Sequence, residues 1–153
     1  MSVYERLVES PVGLLTLRAE AGALTAILFG DVTMGLPDGD PVLGQAAEEL
    51  AEYFGGTRRE FTVPVRLTGT AFQQAVWAAL REIPYGETAT YGEIARRIGR
   101  PRACRAVGMA NHRNAVPIIV PCHRVIGSGG ALTGYAGGLP VKSFLLAWEA
   151  RRP

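Results

Sequence analysis

The chain has 153 residues, 48% hydrophobic and 20% charged, which is the composition of a folded globular protein with one domain or two small ones. No apolar run is long enough to cross a bilayer, and the N-terminal residues lack the pattern of a secretion signal, so we expect a cytoplasmic protein with no membrane partner. Two cysteines exclude a disulfide framework, and the spacing of the Cys and His residues is unlike that of a zinc site, so we expect no metal.

Charge is distributed unevenly along the chain. Residues 1–93 hold 13 acidic residues and six arginines, whereas residues 94–153 hold one Glu, nine arginines and one Lys. A basic region almost free of acids is the electrostatic pattern of a protein that binds a polyanion. An ordinary solvated basic surface has the same composition, so the charge pattern alone leaves both interpretations open.

The first part of the chain is predicted to form a small sheet with one helix. Short apolar segments separated by turn residues are typical of antiparallel strands. They span residues 3–8, 14–19 and 23–29. Helical spacing of apolar residues predicts a helix over 42–54, and FTVPV at 61–65 indicates an edge strand because it contains proline. A boundary near Leu67–Gly69 gives two predicted domains, 1–68 and 69–153.

The second part is predicted to be mainly helical. Thr70 and Thr90 each begin a capping-box pattern, which predicts helices that run to Leu80 and Ile98. A further helix fits 102–110, and together with the preceding short helix it makes a helix-turn-helix pattern. The remaining predicted elements are a buried strand at 116–120, a Gly-rich loop over 127–138 and a final helix from Pro140.

The second helix of that pair interleaves small residues with arginines. The small residues are Ala103, Ala106, Gly108 and Ala110, and the arginines are Arg102, Arg105 and Arg113. Small residues allow close packing inside a protein, or close approach to another surface. Interleaved arginines favour a helix that lies against phosphates, in the minor groove of DNA, with one Arg as a wedge.

The segment VPIIVPCHRV places a thiol and an imidazole side by side. Pro121 ends the predicted strand, so Cys122 can face a cleft, and the neighbouring His123 and Arg124 favour the thiolate. A single His is more often structural than catalytic. We interpret Cys104 as a small buried hydrophobic residue, which is the common role of a free cysteine.

The motif PCHRV resembles the active-site signature of the O6-alkylguanine-DNA alkyltransferases, the methylated-DNA–protein-cysteine methyltransferases. The resemblance extends in order and spacing through FQQAVWAALREIPYGETATYGEIARRIGRPRACRAVGMAN, VPIIVPCHRVIG, TGYAGG and KSFLLAWE, over about residues 69–150. It implies an α/β protein. A small N-terminal ribonuclease-H-like sheet-plus-helix domain is followed by a mainly helical winged helix-turn-helix domain.

The resemblance implies a DNA-repair function. A monomer would bind double-stranded DNA in the minor groove, flip out O6-alkylguanine and transfer the alkyl group irreversibly to Cys122, without a cofactor. O4-alkylthymine is a second candidate substrate. His123 matches the base that draws the thiol proton through water, and Glu149 matches the carboxylate that orients the imidazole of this base. Tyr91 matches the donor to the departing guanine. Asn114 matches the residue that joins the helix-turn-helix to the thiol.

The resemblance also assigns contacts to the substrate. Arg105 matches the arginine that replaces the extruded base. The other residues expected against DNA are Arg102, Ala106 and Arg113. The residues expected in the alkylguanine pocket are Val125, Tyr135, Ala136 and Gly137. Ala115 and Trp148 depart from the common family pattern.

Other functions are also compatible with parts of this pattern. A damage sensor that binds the flipped base without transferring the alkyl group would share the helix-turn-helix, the wedge and the pocket. A thiol hydrolase would leave the basic region almost free of acids unexplained, and a transcription regulator would leave the thiol unexplained. The intact Cys122–His123 pair favours alkyl transfer.

Overall fold

The structure is a computed structural model that describes residues 2–151, so the outer ends of the two predicted domains lie outside the described residues. The chain divides into two compact units, Met1–Leu67 and Thr68–Pro153. None of the helices in the described part is long and apolar enough to span a membrane.

The first unit is a three-stranded antiparallel sheet packed against one helix. Its strands, in spatial order, are β1 (Val3–Val8), β2 (Leu15–Glu20) and β3 (Ala23–Phe29). Helix α1 (Pro41–Phe54) starts where the Asp40 carboxylate accepts a hydrogen bond from the backbone N–H of Val42. Its apolar face buries Leu43 and Leu50 on the sheet side, which confirms the predicted strands and helix.

The predicted edge strand at 61–65 was wrong. Only Val65 forms an isolated bridge, to Leu24. The buried carboxylate of Glu49 accepts hydrogen bonds from the backbone N–H groups of Thr62 and Val63, at 2.9 and 3.1 Å. Pro64 has no N–H to donate. The donors of Thr62 and Val63 are therefore satisfied on a side chain of α1, and only the carbonyl of Pro64 and the N–H of Arg66 bond to Leu24 of β3.

The second unit is mainly helical. Its elements are α2 (Ala71–Arg81), β4 (Ala89–Thr90), α3 (Tyr91–Arg97), α4 (Cys104–His112), β5 (Val125–Ile126) and α5 (Leu139–Ala150). Thr70 and Gln73 exchange capping hydrogen bonds at the start of α2, and Thr90 and Glu93 do the same at α3. Both predicted capping boxes are thus confirmed.

Helices α3 and α4 form the predicted helix-turn-helix, and α2 packs against α4. The indole N–H of Trp77 donates a 2.8 Å hydrogen bond to the carbonyl of Ala110, which joins α2 to α4. Strands β4 and β5 pair in parallel, with Ala89 opposite Val125. This pairing brings the start of α3 beside the segment that follows Cys122.

The predicted strand at 116–120 was also wrong. The segment is a buried turn, in which the N–H of Val120 donates to the carbonyl of Val116 and Ile118 has a positive φ of 74°. The side chain of Asn114 accepts from the N–H of Val116 and donates to the carbonyl of Val120. An apolar run shows that a segment is buried, but hydrogen-bond partners decide its conformation.

Candidate functional site

A single 3-10 turn, Cys122–Arg124, presents the thiol and the imidazole. The turn closes through a hydrogen bond from the N–H of Arg124 to the carbonyl of Pro121, at 3.0 Å. Cys122 is 4% exposed and His123 is fully buried. Because a 3-10 helix has three residues per turn, the successive side chains of Cys122, His123 and Arg124 point in different directions.

Glu149 on α5 connects two of these side chains. Its Oε2 lies 2.8 Å from Nε2 of His123, and its two carboxylate oxygens accept from Nε and Nη2 of Arg124 at 2.7 and 3.0 Å. Nη1 of Arg124 donates to the carbonyl of Ile83. Burial would raise the pKa of Glu149, but the hydrogen bonds from His123 and Arg124 outweigh it and lower the pKa to about 2. The carboxylate is therefore ionised at neutral pH.

His123 is neutral and carries its proton on one defined nitrogen. Burial lowers the pKa of His123, although the neighbouring Glu149 carboxylate partly opposes this. A carboxylate only accepts hydrogen bonds, so Nε2 is the protonated nitrogen. The other nitrogen, Nδ1, is buried and has no hydrogen-bond partner among the described residues. The imidazole therefore has an available lone pair at Nδ1, as a general base requires.

The Cys122 thiol is held in its protonated form, so the prediction that His123 and Arg124 favour the thiolate was wrong. Burial raises the pKa of Cys122 to about 11, although a hydrogen bond from Asn114 and the positive charge of Lys142 partly oppose burial. Asn111 on α4 donates to the carbonyl of Cys122 at 3.3 Å. A buried thiol of this kind needs a base before it can act as a nucleophile.

The prediction that Cys104 is buried was wrong. It is exposed at the start of α4, because this helix turns Val107, Ala110 and Asn111 inwards. We therefore expect a disulfide reagent such as Ellman's reagent to modify Cys104 rapidly in the native protein. Cys122 should react only after unfolding in guanidinium, because it is buried and protonated.

A Cys104→Ser variant is the matched control for this measurement. It should show only the slow thiol, with the same rate as the slow thiol of the unmodified sequence. Two fast thiols in the native protein would contradict the burial of Cys122.

Acid is expected to destabilise the second unit through the same groups. Below about pH 6.5 the unfolded chain takes up a proton at His123 that the folded protein excludes. The free energy of unfolding therefore decreases as the pH is lowered. Glu149 lowers the free energy of unfolding further between about pH 4.5 and pH 2, because in this range its carboxylate is protonated in the unfolded chain but still ionised in the folded protein. Urea midpoints measured from about pH 7.5 down to about pH 5.5 would test the first step. His112→Gln, at an exposed imidazole, is the control for removal of a histidine, and a constant midpoint in the unmodified protein would contradict a buried neutral His123.

The predicted pocket residues differ in their positions. Val125 and Tyr135 are buried, and burial together with the nearby Cys122 raises the pKa of Tyr135. Ala136 is exposed and Gly137 is partly exposed, in the turn before α5. Tyr91 is partly buried and its hydroxyl is hydrogen-bonded to the hydroxyl of Thr133. The structure thus groups Val125 and Tyr135 with the Cys122 turn, and links Tyr91 to the neighbouring loop.

Three polar residues in this region were not identified as functional from the sequence. They are Asn111, Thr133 and Lys142. Lys142 is fully buried and its ammonium donates to the carbonyls of Val125 and Thr133, at 2.6 and 3.3 Å. A lysine is rarely buried completely, and its position one turn before Leu145 on an apolar helix face was the available signal.

The outer face of α4 carries the residues predicted to contact DNA. Arg102, Arg105, Ala106 and Arg113 are all exposed. Arg105 and Ala106 lie on the helix, away from its buried Val107 and Ala110, whereas Arg102 precedes the helix and Arg113 directly follows it. Within residues 2–151 no group of three or more His, Cys, Asp or Glu side chains is arranged to hold a metal ion.

Two family models together match nearly the whole chain. Residues 3–67 match the ribonuclease-like domain of 6-O-methylguanine DNA methyltransferase, and residues 71–151 match its DNA-binding domain. The chain belongs to the 6-O-methylguanine DNA methyltransferase family. Its α/β architecture, a small sheet unit followed by a helical unit, is that of the family.

Individual members of the family are similar over almost their full length. The methylated-DNA–protein-cysteine methyltransferase of Methanosarcina acetivorans is 48% identical, over 96% of this chain and 98% of the relative. The crystal structure of Mycobacterium tuberculosis O6-methylguanine methyltransferase is 47% identical, with a TM-score of 0.89 over 99% of this chain and 95% of that one. A crystal structure of M. tuberculosis OGT in complex with DNA has a TM-score of 0.88 at 47% identity, over 96% and 92% of the two chains.

Proposed function

We propose that this member of the methyltransferase family repairs DNA by transferring an alkyl group from O6-alkylguanine to its own Cys122, once per molecule. The observation that carries the proposal is the arrangement of Cys122, His123 and Glu149. A buried thiol shares one turn with a neutral imidazole whose Nδ1 is available and whose Nε2 is held by an ionised carboxylate. These are the parts of an activated cysteine nucleophile.

The reaction begins with proton transfer from the thiol. His123 draws the Cys122 proton through a bridging water, and Glu149 stabilises the imidazolium that forms. The sulfur then attacks the alkyl carbon, so that the S–C bond forms while the C–O6 bond breaks. The electron pair of the broken bond leaves on guanine. Tyr91 donates a hydrogen bond to this anion, and the proton taken from the thiol finally restores neutral guanine.

The product explains why each molecule acts once. S-alkylcysteine is a thioether, which water does not readily cleave, so Cys122 is not regenerated. The substrate supplies the alkyl group, and the step needs no cofactor. We further propose that the protein acts as a monomer in the cytoplasm.

DNA is the macromolecular partner of the family's DNA-binding domain. We propose that α4 lies in the minor groove, where Ala106 permits close approach while Arg102 and Arg113 contact phosphates. Arg105 fills the space left by the flipped nucleotide. The exposure of Arg105 and Ala106 on α4, and of Arg102 and Arg113 beyond its two ends, supports the proposal.

Replacing Arg105 by alanine should slow alkyl transfer from duplex DNA by about tenfold or more. The reason is that no side chain then fills the space that the extruded base leaves in the base stack. Transfer from the free O6-methylguanine base should be unchanged, since that substrate needs no flipping. Arg81→Ala, at an exposed arginine on α2, is the control for loss of charge. An equal loss on both substrates would contradict the role of Arg105.

The proposed function is tested by intact-mass measurement and peptide mapping. The protein is mixed with an equimolar duplex that contains one O6-methylguanine, or with an unmodified duplex. We expect a mass gain of one methylene on the peptide that contains Cys122, with matching loss of the lesion. Tight lesion-dependent binding without a mass gain would refute transfer and would identify a damage sensor instead.

A further inference from the structure

Thr133 is held at two points in a loop without regular secondary structure. The loop runs from the 3-10 turn Ser128–Gly130 to α5. The carbonyl of Thr133 accepts a hydrogen bond from the buried ammonium of Lys142, and the hydroxyl of Thr133 is hydrogen-bonded to the hydroxyl of Tyr91. Two anchors on one loop residue fix its hydroxyl in place, which a loop backbone alone does not do.

The ring of Tyr91 is supported from a second side. A Cβ added at Gly108 on α4 would lie 3.8 Å from Cε1 and 3.9 Å from Cδ1 of Tyr91, so the helix backbone packs against the ring edge. Tyr91 itself is the first residue of α3, directly after the short strand β4. The ring is therefore placed by α4, whereas the direction of its hydroxyl is set by Thr133.

We infer that Thr133 is a positioning residue for alkyl transfer, which donates its hydroxyl hydrogen to the oxygen of Tyr91 and so directs the phenol proton at the departing guanine. The inference rests on the proposed function. A phenol oxygen that accepts one hydrogen bond becomes a stronger donor through its own O–H. The Thr133 hydroxyl thus strengthens the hydrogen bond that Tyr91 makes as negative charge develops on the base.

The hydroxyl groups of Tyr91 and Thr133 have different roles in the proposed reaction. Tyr91 touches the substrate, while Thr133 acts only through Tyr91. Lys142 holds the Thr133 backbone by its carbonyl, so the side chain of Thr133 can be changed while this anchor is kept. Serine retains the hydroxyl, whereas valine keeps the shape of threonine without it.

The test is a double-mutant cycle on the single-turnover rate of methyl transfer from a duplex with one O6-methylguanine. The proteins are the unmodified sequence, Thr133→Val, Thr133→Ser, Tyr91→Phe, and the double variant Thr133→Val with Tyr91→Phe. We expect Thr133→Val to be about tenfold slower, which corresponds to one hydrogen bond, and Thr133→Ser to be close to the unmodified protein. Thr68→Val, at an exposed threonine, is the matched control.

The cycle separates the positioning role from a merely structural one. In the Tyr91→Phe background the Thr133→Val change should have no further effect, because its target is gone. An equal slowing in both backgrounds would show that Thr133 shapes the loop and would overturn the inference, as would a Thr133→Val protein with an unchanged rate. If the unmodified protein transfers no methyl group, the proposed function itself fails.

Discussion

A Cys122→Ala protein is expected to gain no mass from O6-methylguanine DNA, whereas a Cys104→Ser protein should gain one methylene per molecule. The expected loss is complete, because alanine has no atom that can accept the alkyl group. Cys104 is exposed on α4, but none of the contacts among the described residues places an imidazole beside it to activate it. Intact-mass measurement after incubation with equimolar duplex checks both variants.

Lesion binding is the necessary companion measurement. Cys122 packs in the buried turn, and alanine is smaller, so Cys122→Ala should fold and still bind the modified duplex. Thermal unfolding of the variant would verify the fold. Methyl transfer that persists in Cys122→Ala and disappears in Cys104→Ser would show that the acceptor is Cys104.

Glu149→Gln is expected to slow methyl transfer by about 100-fold and to lower the free energy of unfolding by about 3 kcal/mol. The rate falls because the imidazolium formed at His123 loses its counter-charge. The stability falls because Arg124 remains buried without its ionised partner, at 2.7 and 3.0 Å from the altered group. Single-turnover kinetics and urea unfolding at neutral pH measure the two effects.

Glu87→Gln is the control for removal of an acidic charge, since Glu87 is exposed in the connector before β4. It should leave both the rate and the urea midpoint unchanged. If Glu149→Gln unfolded at the same urea concentration as the unmodified protein, the buried ion pair would contribute nothing to stability. If it also transferred methyl groups at the normal rate, Glu149 would have no part in activating His123.

Local signals predicted the elements that local hydrogen bonds determine. The helices that begin at Thr70 and Thr90 start where their capping boxes indicated, because each box is completed within four residues. The strands of the first unit and α1 also lie where apolar periodicity placed them. These predictions need only the sequence around each element.

The errors arose where a distant or polar partner decided the structure. The apolar run at 116–120 became a turn because the side chain of Asn114 satisfies its backbone. The segment 61–65 is not a strand because the N–H groups of Thr62 and Val63 donate to the carboxylate of Glu49. Cys104 faces solvent because α4 buries its other side. For the two segments, apolar composition indicated burial correctly but did not identify the hydrogen-bond partner.

The sequence by itself determined the two-part organisation, the basic region almost free of acids, and the motifs that carry the family resemblance. Only the tertiary structure decided the protonation state of the site. His123 and Glu149 are 26 residues apart in the chain, and Tyr91 and Thr133 are 42 apart. Hydrogen bonds from His123 and Arg124 lower the pKa of Glu149 against the effect of burial, whereas burial itself keeps His123 neutral and Cys122 protonated. Such shifts depend on which groups folding removes from water together, and no local pattern contains that information.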